Sequence, residues 1–312
     1  MKKTILSFGE VLWDLLPTGP KLGGAPCNFA YRVHSLGDEG IFAGRIGRDD
    51  LGEAIHRQLL ALGMDLTCLQ WDDRHPTGTV QITLKEKHAP DYFIVPEVAY
   101  DYIDVDENLT AAAARADCIC FGTLIQRGEG SRRTLHRLLE LSGNRLKLLD
   151  INLRKHCHTW ETVTWSLEQA DILKLNEEEA GVLAEGLGLS RRSLPAFCED
   201  VICRWRISDC LVTLGDRGAF AATADRKVYV PGYRVEVVDT CGSGDAFTAG
   251  WIYQKLRGEP LEACCLLGNA LGAIVASQPG ATEPVATDEI RRFMETDHER
   301  IVEKELAAFL IE

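Results

Sequence analysis

Short apolar runs recur along the chain at 5–8, 41–46, 118–121, 146–151, 172–175 and 210–214, mostly bounded by Gly, Asp or Asn. Between several of them lie stretches with apolar positions at helical spacing, among them 50–62, 130–141 and 177–185. Runs too short for buried helices, alternating with helical segments, predict an α/β fold with a mostly parallel sheet flanked by helices. A further strand is expected over 233–238, and from Gly242 onward the pattern turns helical, through 260–277 to 288–310. One stretch breaks the rhythm. At 77–103 a first arm alternates polar and apolar residues at period two, a turn follows, and a second arm contains Phe93. That is the pattern of a half-exposed antiparallel ribbon, which over an α/β body would form a lid. No linker or repeat divides the 312 residues, so 1–312 reads as one domain.

Composition narrows the partners. A net charge of −13 argues against nucleic acid or an anionic membrane, and any polyanionic ligand must be met by local donors or a divalent cation. The first ten residues read as a strand and not a signal peptide, so a cytoplasmic location is expected. The longest uncharged stretch, 263–282, is diluted by Gly268, Asn269, Ser277, Gln278 and Pro279, which favours a buried helix ending in a turn over a membrane span. Eleven cysteines with no C-x-x-C pair read as reduced thiols used as small hydrophobes. His156 and His158 around Cys157 lack a nearby partner cluster and read as a solvated loop.

The candidate chemistry starts at 238–247, where strand-like residues give way to Thr240, Cys241, Gly242, Ser243 and Gly244, and Asp245 stands at the start of an apolar helix. A helix start offers unpaired N–H groups and the positive end of the dipole, and glycines let an anion approach them. An acid beside such a turn repels an anion unless it has a chemical role, such as taking a proton from an alcohol. Taken alone, the segment is more often a helix cap. It also lacks the Gly-Lys-Ser/Thr of a P-loop, and Phe247 breaks the dinucleotide fingerprint. Near the N-terminus, Gly23 and Gly24 precede Pro26 and Asn28, with Asp14 upstream. Asp14 and Asn28 supply the acceptors and donors a polyol needs, though a plain glycine loop explains the segment equally well.

The two segments together resemble the two signatures of the ribokinase-like (phosphofructokinase-B-type) carbohydrate kinases, one the Gly-Gly/Asn sugar motif and the other Asp-Thr-x-Gly-x-Gly-Asp at 239–245. Asp150 to Arg154, Asn176 to Glu179 and Val212 to Gly218 resemble intervening motifs in family order, so the likeness spans essentially the whole chain. It is strongest to the fructokinase branch. The resemblance implies a ribokinase-like α/β domain with a small β lid from about 10–20 and 77–103. It implies Asp245 as general base, with Gly242, Ser243 and Gly244 as anion hole. Asp14, Gly24, Asn28, Phe93 and Arg154 would hold the sugar, and Thr213, Gly215, Gly218 and Asn269 would border the nucleotide. Asn176 and Glu179 would organise Mg²⁺ through water, and Asp239 with the Cys241 carbonyl stand where K⁺ ligands fall in some members. The implied reaction uses ATP and Mg²⁺, in some members K⁺, to phosphorylate a small sugar, fructose first; ribose and 2-keto-3-deoxygluconate are the alternatives. A homodimer is compatible with this reading. The reading of another class is a non-catalytic sugar or nucleotide sensor, against which an intact Asp245 argues. A nicotinamide oxidoreductase is disfavoured by the broken fingerprint.

Overall fold

The computed structural model describes residues 1–16, 19–83 and 91–310. The strands are β1 (Thr4–Phe8), β2 (Leu12–Leu16), β3 (Gly19–Gly23), β4 (Glu39–Gly47), β5 (Leu69–Asp72), β6 (Gly78–Thr83), β7 (Asp91–Ile94), β8 (Cys118–Phe121), β9 (Leu146–Asp150), β10 (Ile172–Asn176), β11 (Asp209–Thr213), β12 (Ala219–Ala222), β13 (Lys227–Val230), β14 (Gly232–Tyr233) and β15 (Arg300–Ile301). The helices are α1 (Ala25–Ser35), α2 (Asp50–Ala61), α3 (Glu107–Arg115), α4 (Glu129–Leu141), α5 (Trp160–Gln169), α6 (Glu177–Leu187), α7 (Leu194–Trp205), α8 (Ser243–Lys255), α9 (Leu261–Ala276) and α10 (Thr287–Glu295).

Nine strands form the main sheet in the order β13-β12-β11-β10-β9-β8-β1-β4-β5, parallel from β11 to β5, with β12 and β13 antiparallel at one edge. Its strands are apolar on both faces, as burial between helix layers requires. In β1, Ile5 belongs to the core layer that includes Phe29 of α1, Trp251 of α8 and Cys264 of α9, whereas Leu6 and Phe8 belong to the opposite layer, with Leu135 of α4, Val163 of α5 and Leu183 of α6. The chain runs outward from β1 to β4 and then returns to β8 on its other side. That reversal opens a crevice at the carboxyl ends of the central strands, where α/β proteins hold ligands.

A second sheet, β3-β2-β6-β7, comprises the segments expected to form the lid, and it also takes in β3 up to Gly23. The turn expected between its outer arms, at 84–90, lies outside the described residues. The expected strand over 233–238 is corrected: only Gly232–Tyr233 pairs, with β15, and the residues from Arg234 run on as irregular chain to the glycine turn. The expected helix over 288–310 ends at Glu295 and is followed by β15 and a 3₁₀ segment at Lys304–Phe309. Among the described residues no helix is long and apolar enough to cross a membrane. Nine of the eleven cysteines are buried free thiols; Cys203 and Cys241 are exposed.

Candidate active site

A cleft of about 860 Å³ lies between the carboxyl edge of the main sheet and the small sheet. Register fixes which side chains of the small sheet face it. Asp14 lies opposite Val80 and Val80 opposite Ile94, and all three line the cleft. Leu15, Gln81 and Phe93 form the adjacent row, and period-two alternation turns that row outward. The expectation for Phe93 is therefore corrected: it is 56% exposed on the outer face, and Ile94 takes the inner place. At the start of α1, Gly24 has φ +109 and a Cβ there would stand 2.5 Å from the Glu10 carbonyl, so the bend that presents Asn28 requires glycine.

Opposite stands the glycine turn. Gly242 caps α8 with φ +76, and a Cβ on it would strike the Ala281 Cβ at 2.3 Å. Ser243 N–H turns back to the Thr240 carbonyl at 3.2 Å, and helical pairing begins with Ala246 N–H donating to the Gly242 carbonyl at 2.9 Å. The N–H groups of Gly242, Gly244 and Asp245 have no acceptor among the described residues. Of the three N–H groups expected to form an anion hole, that of Ser243 is therefore already engaged, and that of Asp245 is free alongside those of Gly242 and Gly244. The Asp245 side chain is buried and accepts from Asn28 Nδ2 at 2.9 Å, while Asn28 Oδ1 is buried without a partner among the described residues. Desolvation, with Asp150 adding to it, raises the Asp245 carboxyl to a pKa of about 6, against the pull of Lys174, the Asn28 hydrogen bond and Arg154.

The floor behind this turn is charged. Lys174 on β10 pairs with Asp150 at 3.1 Å, and both side chains are under a tenth exposed. Asn152 Nδ2 donates to the same Asp150 oxygen at 3.0 Å, and the Thr248 hydroxyl of α8 reaches the other at 2.9 Å. Asn152 itself has φ 40, a left-handed conformation that asparagine tolerates better than most residues. Glu10 is also buried at the cleft, where desolvation lifts its carboxyl to about 7. Arg154 lines the cleft and its charge opposes the upward shifts of Glu10, Asp14 and Asp245.

The other half of the cleft carries Asn176, Thr213, Gly215, Gly218 and Asn269. Gly215 and Gly218 have φ +63 and +93, and a Cβ on Gly218 would meet the Val230 carbonyl at 2.1 Å. Asn269 donates its amide to the Val230 and Pro231 carbonyls at 3.0 and 3.3 Å, fixing α9 to the strand edge. Asn176 and Glu179 form a reciprocal cap: Glu179 N–H donates to Asn176 Oδ1 at 2.9 Å and Asn176 N–H to Glu179 Oε2 at 2.8 Å. The remaining Glu179 oxygen accepts from Leu153 N–H at 2.9 Å, and Glu179 is absent from the cleft lining. The expectation for Glu179 is corrected to that of a buried anchor, which leaves Asn176 facing the cleft. Asp239 differs from expectation as well. One of its oxygens accepts from Cys241 N–H at 3.0 Å and the other pairs with Lys21 Nζ of β3 at 3.0 Å, so an ammonium stands where K⁺ was expected. Cys241 remains on the cleft wall.

Fourteen of the seventeen expected site residues line one cleft; Phe93, Glu179 and Asp239 do not. Glu10, Lys174 and Asn152 were missed. Glu10 and Asn152 lay inside motifs already in view, and a lysine two residues before Asn176 in an otherwise apolar strand was a signal available in the sequence.

The profile of the pfkB family carbohydrate kinases matches residues 18–288. The chain is 29% identical to Fructokinase-1 of Oryza sativa subsp. japonica, with 94% of this chain and 98% of the rice protein covered. The fructokinase of Xylella fastidiosa with bound ATP superposes with a TM-score of 0.82 at 22% identity, covering 95% of this chain and 99% of that one. The fructokinase of Vibrio cholerae O395, with fructose, ADP and calcium bound, gives 0.81 at 23% identity, covering 94% and 99%.

Proposed function

Because this chain belongs to the pfkB family of carbohydrate kinases, we propose that its cleft transfers the γ-phosphoryl group of ATP to a hydroxyl of fructose, giving fructose 6-phosphate. The carrying observation is the buried contact of Asp245 with Asn28, which puts one carboxylate between the polyol-binding half and the glycine turn. Asp14, the Gly24 bend and the unpartnered Asn28 Oδ1 offer groups for sugar hydroxyls, with Val80 and Ile94 covering the apolar side of the ring. Asp245 takes the hydroxyl proton as the sugar oxygen bonds to the γ-phosphorus and the bond to the bridging oxygen of ADP breaks. A carboxyl raised to about 6 remains mostly ionised at neutral pH while being a better base than an ordinary aspartate. The free N–H groups of the turn receive the charge on the phosphoryl oxygens, and Arg154 balances the cleft carboxylates.

Thr213, Gly215 and Gly218 border the nucleotide, with α9 beside its base. The described residues hold no group of three metal-ligating side chains. Mg²⁺ gives up its waters reluctantly and is commonly bound through nucleotide phosphates. Asn176 would meet one of those waters, and the bound Mg²⁺ would neutralise phosphate charge. The outward row of Leu15 and Phe93 offers apolar surface to a second copy, consistent with a homodimer.

A coupled ADP-release assay over fructose, ribose, adenosine and 2-keto-3-deoxygluconate tests the reading. Fructose should give the highest kcat/KM. A preference for ribose or ketodeoxygluconate would move the substrate within the family, and no turnover with any sugar would leave a sensor.

A further inference from the structure

The buried ammonium of Lys174 is surrounded unlike an ordinary core ion pair. Asp150, its partner, is completed by Asn152 and Thr248 as well as by the lysine. Lys174 has Asp150 as its hydrogen-bond partner among the described residues, although an ammonium carries three donors. A buried pair left incomplete on its cationic side recovers little of its desolvation cost, so stability alone does not account for it. Its position does. Lys174 lines the cleft, and its Nζ lies 3.1 Å from where a Cβ on Gly244 would be, directly against the turn whose N–H groups are free.

We propose that Lys174 is a further phosphoryl-site residue, its ammonium seated against Gly244 to supply a full positive charge to the anion received by the glycine turn. The proposal rests on reading that turn as the phosphoryl site. Backbone donors bring partial charges only, and the charged side chains that act on Lys174, namely Asp150, Glu179 and Asp245, are all acidic. Beside these buried carboxylates, a fixed cation in a dry setting stabilises developing phosphoryl charge without reorganisation. Lys174 keeps its protons throughout; the hydroxyl proton goes to Asp245 and the leaving electron pair to ADP. Gly244 acquires a second reason to be glycine, because a side chain there would press on the ammonium.

Lys174→Met and Lys174→Arg separate this role from packing. Each is measured for kcat, KM of the sugar turned over, thermal unfolding, and affinity for ADP with magnesium and aluminium fluoride, a mimic of the phosphoryl group in flight. Met should lower kcat about 10²–10³-fold and weaken the aluminium fluoride complex by a comparable factor, with ADP alone and sugar changed only a few-fold. Arg should restore part of both. A mimic affinity that stays native while kcat falls, or equal loss in Met and Arg tracking the unfolding temperature, would overturn the proposal. Should Lys174→Met not fold, the double variant Lys174→Met/Asp150→Asn is compared with Asp150→Asn, and equal mimic affinities would overturn it too. The mimic requires no proton transfer, so this outcome is independent of whether Asp245→Asn upholds the general base.

Discussion

Asn28 Nδ2 donates to Asp245 Oδ2 at 2.9 Å, joining two residues 217 positions apart in the chain. The contact ties the start of α1, where the sugar motif lies, to the start of α8, where the glycine turn lies. It makes Asn28 a residue with two duties. The amide nitrogen fixes the rotamer of the carboxylate, and Oδ1, buried without a partner among the described residues, is the atom proposed to meet a sugar hydroxyl.

Asn28→Ala should therefore damage more than sugar affinity. Loss of a hydrogen bond to a charged group costs about 1.5–3 kcal/mol, so kcat should fall roughly 10–100-fold while sugar KM rises and ATP KM stays near native. Steady-state kinetics with each substrate varied decides this. Equal losses of sugar and ATP affinity would remove Asn28 from the sugar pocket.

Asp245→Asn keeps the shape of the site but cannot accept the proton. Turnover should drop by about 10²–10⁴-fold. Calorimetric titration with the sugar should show affinity within a few-fold of native, and near-native kcat would end the general-base assignment.

The pH profile of kcat/KM should show an acid limb with a midpoint near 6, the value to which burial and Asp150 lift Asp245. Activity is retained above it, where the base is ionised, and lost below. Because the Asn28 hydrogen bond pulls that value down, Asn28→Ala should move the limb to higher pH. An unmoved limb would assign it to another group, with Glu10, at about 7, the first candidate.

Stability should respond in the opposite sense to activity. The folded Asp245 holds its proton up to about 6 whereas its ordinary value is 3.8. Folding is therefore penalised as pH rises between these values, and the penalty is complete above the folded pKa. Asp245→Asn should unfold at a higher temperature than the native protein at pH 8, by roughly 1–3 kcal/mol, and the gain should vanish near pH 4. A destabilised variant at pH 8 would show that the carboxylate is better compensated than its burial implies.

Lys21 makes a prediction about monovalent cations. Its ammonium occupies the Asp239 carboxylate, so turnover should be nearly the same in K⁺ and in a bulky organic cation. Lys21→Met should create a K⁺ response. A native enzyme activated several-fold by K⁺ would mean that the ion displaces Lys21 or binds beside it.

The sequence predicts the fold well where pattern is strong. The six apolar runs all became strands of the main sheet, because a strand buried on both faces needs continuous apolar residues. β5, β12 and β13 escaped notice because each is only four residues long, β5 and β13 being the two edges of the sheet. Residues 234–238 are alternating enough to read as a strand, but only Arg234 and Val238 donate from the backbone, to the Glu299 and Ala276 carbonyls, and no strand ladder forms among the described residues. Site residues on backbone turns, such as Gly242 and Gly218, are legible because their φ values admit little else. Those whose role depends on orientation are not. Phe93 and Ile94 are adjacent, and only strand register decides which faces inward. Lys21 is also invisible from spacing, since its partner lies 218 residues away.

That adjacency in β7 has a mechanical corollary. In the proposed function the small sheet covers the sugar as a single backbone layer, so a load on Phe93 from outside would bear on Ile94 from behind. A neighbouring subunit, an antibody or a crosslink on that surface need not reach the cleft to change which sugars fit. Selectivity screens of this enzyme would then report on its state of association as much as on its pocket.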